Sequence, residues 1–248
     1  MSDDTDKPVK KAHAGAHQSG APWRNFYGRL AGKTLNQAQK DYLEEDLDAL
    51  SPGDIGWDVN PERIPLDMEK RFHGKPVWVE IGFGGGEHLV HMAETYPEVE
   101  IIGCEPFING VAMLLGKIRK LGTQNVSVYA GDARNLFDVL PKGSIDKAFL
   151  NYPDPWPKSR HHRRRFVTQD HLVPLHGVLK AGAEFRVATD IPDYVRQTME
   201  EVPKAGFVFQ GKHPKDWDTP WSDWMSTRYE QKALREGRTP HYMTFKRA

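Results

Sequence analysis

From Val77 onwards, short apolar runs alternate with longer stretches of helical periodicity, and the pattern repeats five times before Lys204. Val77-Trp78-Val79-Glu80-Ile81 reads as a strand and Glu87 to Tyr96 as a helix. Glu100-Ile101-Ile102-Gly103-Cys104 precedes a helix from Phe107 to Leu121, closed by Gly122. Asn125 to Tyr129 precedes Arg134 to Leu140; Ile145 to Leu150 precedes Phe166 to Leu179; Glu184 to Thr189 precedes Ile191 to Lys204. Phe207 to Gln210 and Tyr242 to Lys246 add two strand candidates. Such alternation predicts an α/β fold, a parallel sheet with helices on both faces. Ligands of such sheets sit beyond the carboxyl ends of the strands, near the switch in strand order.

The chain before Val77 obeys other rules. Residues 1–22 are polar and rich in Gly, Ala, His and Lys, with no face to bury, and read as a disordered tail. His13 and His17 lie i, i+4 there without further ligand candidates. Residues 23–76 form an N-terminal extension to a single domain spanning 23–248. Thr34 to Leu50 carries apolar residues at helical spacing and stops at Ser51-Pro52-Gly53. Arg24-Asn25-Phe26-Tyr27-Gly28-Arg29-Leu30 mixes cations with aromatics, which suits an RNA-touching arm and a strap packed on the domain equally well.

Charge excludes several classes. The chain has 34 Lys plus Arg and 34 Asp plus Glu, so bulk positive charge does not coat a nucleic acid, although a local basic patch is allowed. Cys104 is the single cysteine, which forbids an internal disulfide and suits a reducing cytoplasm. No apolar run reaches the roughly 18 residues of a membrane span, and the acidic start lacks a signal-peptide core. The histidines have no CxxC or HExxH companions, so no metal site is expected.

Two stretches carry chemistry. The first is Glu80-x-Gly82-x-Gly84-x-Gly86, a glycine turn between strand and helix that lets backbone approach a ligand. Its GxGxG spacing departs from the dinucleotide GxGxxG. Glu80 just before it would repel a pyrophosphate and welcome a sulfonium cofactor with a free amine, S-adenosylmethionine. Glu105 follows the second strand and is placed to accept ribose hydroxyls. Asp132, in Gly131-Asp132-Ala133, follows the third and is placed for an adenine amine. Any one of these acids alone reads as a turn or cap residue; three at successive strand ends form a pattern.

The second stretch is Asn151-Tyr152-Pro153-Asp154-Pro155-Trp156-Pro157-Lys158, followed by Ser159-Arg160-His161-His162-Arg163-Arg164-Arg165. Three prolines stiffen the loop and bar helix and central strand. They frame one acid and one flat ring, with cations next. Trp156 is suited to stack on a base or to prop the loop. The basic run is suited to phosphates, or is a solvated helix start. Further on, Trp217, Trp221 and Trp224 read as local core more readily than as base platforms. Thr227-Arg228-Tyr229-Glu230 has capping-box spacing for a helix through Leu234, and a helix start also offers amides to a ligand.

Together these motifs resemble the bacterial tRNA (guanine-N7)-methyltransferases. The likeness rests on Val79 to Gly86, on Pro153 to Lys158 with Arg160 to Arg165, on Ala188-Thr189-Asp190 and on Thr227 to Glu230, and covers roughly residues 24–246. It implies a class I methyltransferase (Rossmann-like) fold with a mostly parallel, seven-stranded sheet. It implies transfer of a methyl group from S-adenosyl-L-methionine to N7 of the tRNA variable-loop guanine, commonly position 46. By the same resemblance Glu80, Gly82, Gly84, Glu105, Asp132, Ala133, Asn151 and Asp154 line the cofactor pocket, with Asp154 catalytic. Lys158, Asp190, Thr227, Arg228, Tyr229 and Glu230 contact substrate, and Arg160, His161, His162, Arg163, Arg164 and Arg165 contact RNA. The expected partner is tRNA, with the protein a monomer or homodimer in the cytoplasm. Competing readings are methylation of an exocyclic base amine, which Asp154 between the prolines disfavours; an RNA-binding module without turnover; and an NAD oxidoreductase.

Overall fold

The computed structural model describes residues 24–248. The expected tail, with His13 and His17, lies outside them. Seven strands form one sheet: β1 (Val77–Ile81), β2 (Glu100–Cys104), β3 (Val126–Tyr129), β4 (Ile145–Asn151), β5 (Leu179–Thr189), β6 (Phe207–Phe209) and β7 (His241–Arg247). Their order is β3-β2-β1-β4-β5-β7-β6. β1 to β5 run parallel, and β7 enters antiparallel between β5 and β6. The order reverses between β1 and β4, which puts the crevice of an open α/β sheet there.

The helices are α1 (Gln37–Asp46), α2 (Met68–Phe72), α3 (Glu87–Thr95), α4 (Ile108–Leu121), α5 (Ala133–Phe137), α6 (Gln169–Val178), α7 (Pro192–Lys204) and α8 (Arg228–Arg235). Alternation along β1 divides the core. Val77, Val79 and Ile81 belong to one cluster, with Leu136, Leu172 and Leu175. Trp78 belongs to the other, with Leu89, Leu114, Phe149 and, at its edge, Tyr42 and Leu43 of α1. Glu80 shares a face with Trp78, which turns it toward α3.

Boundaries moved where pairing overrode pattern. β5 begins at Leu179, five residues before the apolar run that announces it, because Leu179 pairs with Ile145 across a register shift. α6 begins at Gln169, three residues after Phe166. The basic run is a 3-10 helix, Ser159–Arg164. The short α2 has no sequence signal beyond its Asp67 cap. Residues 24–33 form a strap on the domain: Ile108 donates its amide to Leu30 O (3.0 Å), and Arg24 pairs with Asp138 (2.6 Å). No helix among the described residues is long and apolar enough to cross a membrane.

Candidate active site

The glycine turn forms one bank of the crevice. Gly82, Gly84 and Gly86 take φ of 69°, 57° and 75°, a region that costs an L side chain energy. Gly110 of α4 closes on the turn so tightly that a Cβ there would meet the Gly84 carbonyl oxygen. Glu105 cradles the turn: Gly84 N donates to one carboxylate oxygen at 2.8 Å and Phe107 N to the other at 2.9 Å. Burial pushes the Glu105 carboxyl above its ordinary value, with the two amides working in opposition.

The other acids of this bank are also held. Asp132 caps α5 and takes the Arg134 guanidinium at 2.5 Å. Burial alone would raise Asp132, but the hydrogen bonds from Arg134 outweigh it and leave the carboxyl below its ordinary value. Ala133 is buried beside it. Glu80 is 2 % exposed, and His88 Nδ1 lies 2.8 Å from its Oε2.

The proline loop forms the opposite bank. Leu150 pairs with Ile81, so Asn151 ends β4 beside the start of the glycine turn. Tyr152 and Trp156, each followed by proline, take φ of 49° and 40°. Non-glycine residues there carry strain of about 1–3 kcal/mol each, which surrounding contacts must offset. Those contacts are visible. Tyr152 N donates to Ala188 O at 2.8 Å. Arg165 Nε donates to Pro155 O at 2.8 Å. The Trp156 ring meets Tyr27, His161 and the Arg164 guanidinium, the last 5.0 Å from its centroid. Asp154 itself is exposed and makes no hydrogen bond or ion pair among the described residues. Burial raises both Glu105 and Tyr229, and the Asp154 charge adds to each.

The basic run does not act as one surface. Arg165, expected on RNA, has a fully buried side chain and is instead an internal clamp. It bonds Pro155 O, Gln197 and Asp193 and lies over Tyr194. Arg164 is half-buried between Tyr27 and Trp156. His162 approaches Asp193 at 3.0 Å, and His161 lies on Trp156 with its pKa lowered by desolvation and the surrounding cations. Lys158, Arg160 and Arg163 face solvent.

The C-terminal motif folds over the glycine turn. Arg228 crosses Gly85, and a Cβ on Gly84 would lie 3.1 Å from the Tyr229 ring. Thr227 caps α8 by accepting from Glu230 N at 3.3 Å. Glu230, expected on substrate, is 3 % exposed and turned inward, where Trp224, Tyr152 and Tyr242 all donate to it. Trp221, Trp224 and Tyr242 pack edge to face as local core. Asp190 is buried and paired with Arg238. The two border a cavity of about 480 Å³ that also meets Asp218 and His241.

Residues 74–243 match a family model described as "Putative methyltransferase". A tRNA (guanine-N(7)-)-methyltransferase of Ruegeria sp. (strain TM1040) is 70 % identical over 94 % of this chain and 92 % of its own length. One of Cereibacter sphaeroides is 64 % identical over 100 % and 99 %. The chain belongs to the tRNA (guanine-N(7)-)-methyltransferase family.

Solved structures agree on the fold. The 16S rRNA methyltransferase KamB superposes with a TM-score of 0.52 at 15 % identity, covering 70 % of this chain and 88 % of KamB. An antibiotic-related methyltransferase gives 0.51 at 20 %, covering 72 % and 92 %. The sheet is thus the class I methyltransferase sheet. In this family member, four residues that the motifs left out shape the site: His88, Gly110, Arg134 and Arg238. His88 lies on the buried stripe of α3 with Met92, which periodicity shows, but its contact with Glu80 needs the fold. Arg134 was placed on α5, where its spacing from Asp132 offered a local signal. Gly110 and Arg238 had none.

Proposed function

We propose that this chain transfers a methyl group from S-adenosyl-L-methionine to N7 of the variable-loop guanine, position 46, of tRNA. The observation that carries the reading is Asp154: an exposed, unpaired carboxylate between two strained residues of the proline loop, at the end of the strand beside β1, with its charge felt at Glu105 under the glycine turn. The bound cofactor supplies an electrophilic methyl group. Glu80 offers a buried acceptor for its ammonium, and Glu105 sits at the strand end suited to the ribose hydroxyls. One side-chain amide atom of Asn151, buried without a partner, marks a polar position in want of a ligand group. Asp132 is committed to Arg134, so the Ala133 amide shares the work at adenine. Gly82 and Gly84 leave room for close backbone approach.

Guanine N7 has a lone pair and no proton, so the chain need not remove one. What it must supply is in-line placement, which is able to contribute roughly 7–11 kcal/mol of the barrier. Asp154 orients guanine through the N1–H and N2–H donors and stabilises positive charge as it develops on the base. Asp190, held through Oδ2 by Arg238, is a second acceptor through its other oxygen. Lys158, Arg160 and Arg163 hold phosphates, and Arg228 and Tyr229 close over the substrate from the helix start that the buried Thr227 caps. The expected compartment is the cytoplasm, where tRNA matures.

The test is methyl incorporation into an unmodified tRNA transcript, followed by borohydride reduction and aniline scission. Strand cleavage at position 46 is expected. Methylated exocyclic amine in the nucleoside digest, with no cleavage, would overturn the reading.

A further inference from the structure

We propose that His88 is the positioning residue of the subsite for the cofactor's amino-acid tail, setting Glu80 as an acceptor and Asn151 as a donor. The inference rests on the cofactor reading above. His88 stands on the first turns of α3, only 2 % exposed, with its ring between Phe149 (5.0 Å) and Trp224 (5.2 Å). Those contacts pack the ring in place. Its Nδ1 is 2.8 Å from Glu80 Oε2 and 3.2 Å from Asn151 Nδ2.

One ring nitrogen does not serve both neighbours as drawn. Nδ1 carries a proton or a lone pair, so it does not donate to Glu80 and accept from Asn151 together. An ionised carboxylate only accepts. With Glu80 ionised, Nδ1 therefore bears the proton and donates to Oε2. The Asn151 amide, whose oxygen and nitrogen are interchangeable in outline, then turns its oxygen toward the ring. Its nitrogen takes the buried place where an amide atom otherwise lacks a partner.

The outcome is a matched pair. Glu80 keeps an acceptor oxygen, and Asn151 gains a free donor, a few ångströms apart on neighbouring strand ends β1 and β4. An α-amino acid end has the complementary groups, an ammonium and a carboxylate. The other tautomer reverses both signs: Glu80 must then hold a proton to bond Nδ1, and Asn151 presents oxygen. His88 thus acts through Glu80 and Asn151 and does not touch the reacting atoms.

Two ligands separate positioning from general support. S-adenosylhomocysteine has the amino-acid tail; 5′-methylthioadenosine lacks it. His88→Phe preserves an aromatic ring and removes the donor; His88→Asn restores a donor where Nδ1–H stood. Calorimetry should show His88→Phe binding S-adenosylhomocysteine about tenfold more weakly or worse, with methylthioadenosine within about twofold. His88→Asn should recover most of the loss. Nitrogen-15 spectra of the S-adenosylhomocysteine complex should report a protonated Nδ1. Equal weakening of both ligands, or an unprotonated Nδ1, overturns the assignment of His88. Should His88→Phe fail to fold, Asn151→Asp takes its place: it removes the donor and should weaken S-adenosylhomocysteine selectively, and equal effects on both ligands again overturn the proposal. A wild-type chain that binds neither ligand overturns the cofactor reading itself.

Discussion

The two banks of the crevice treat their acids in opposite ways. On the glycine bank every acid is held by the chain: Glu80 by His88, Glu105 by two backbone amides, Asp132 by Arg134. On the proline bank Asp154 has no such partner, while the backbone on either side of it is bent into strained conformations and clamped from behind by Arg165. The first bank organises side chains in advance to receive a ligand. The second organises main chain and leaves the carboxylate free. A group that must meet a developing charge is more effective uncommitted, provided its frame does not move. Paired acids instead bring selectivity for donors at fixed positions.

The largest effect should come from the free acid. Asp154→Asn should lower single-turnover methyl transfer by about 10²–10³-fold, with a much smaller change in S-adenosylhomocysteine affinity. A rate that recovers fully at high pH would break the contrast, since Asp154 would then be a base that hydroxide replaces.

Next is its clamp. Arg165→Met leaves Pro155 O and Gln197 Oε1 without the donor each has from Arg165, while Asp193 keeps Arg196 and His162, and should cost about 2–4 kcal/mol by urea unfolding. The loop should loosen with it, so turnover should fall more than cofactor affinity. Unchanged turnover in a folded variant would show that the prolines and the Tyr152 N–Ala188 O hydrogen bond hold the frame without the clamp.

The glycine bank should fail differently, by acid. His171 of α6 lies near Arg134 and Asp132 of that bank, and burial, with the Arg134 charge adding, holds its imidazole down to about 4 from an ordinary 6.5. The unfolded chain therefore takes up a proton near 6.5 that the folded chain refuses until about 4. Stability present above pH 6.5 is lost as pH falls toward 4, by up to roughly 3 kcal/mol. The depressed carboxyl of Asp132 adds in the same direction as pH falls through its folded value. Melting temperature against pH checks this, and His171→Phe should flatten the slope.

The smallest effect sharpens the division within the basic run. Arg163→Ala should change stability by less than about 0.5 kcal/mol and make the salt dependence of tRNA binding shallower by about one unit. If Arg163→Ala proves as destabilising as Arg165→Met, exposure has misassigned the pair.

Much of this could be read in advance. The glycine turn was legible because a left-handed turn between strand and helix demands glycine locally. The proline loop was legible because three prolines forbid the regular alternatives. Arg165 was misread because a run of cations looks uniform: the 3-10 helix ends at Arg164, and the next residue turns inward to Asp193, 28 positions away. Glu230 was misread for a related reason. Its spacing from Thr227 fits a cap, and half of that cap forms, but its carboxylate is drawn inward by Tyr152, Trp224 and Tyr242. The packing of residues 24–33 as a strap could not be read in advance, since its contacts to α4 and Asp138 come from segments far along the chain.

Sequence alone determined which residues stand at the strand ends, because strand period, glycine turns and proline stiffness act over a few neighbouring residues. Only the tertiary structure decided which charges are spent and which remain free. That choice depends on partners distant in the chain, such as Arg238 for Asp190 and His88 for Glu80, and on burial, which makes a charge without a partner too costly to keep inside.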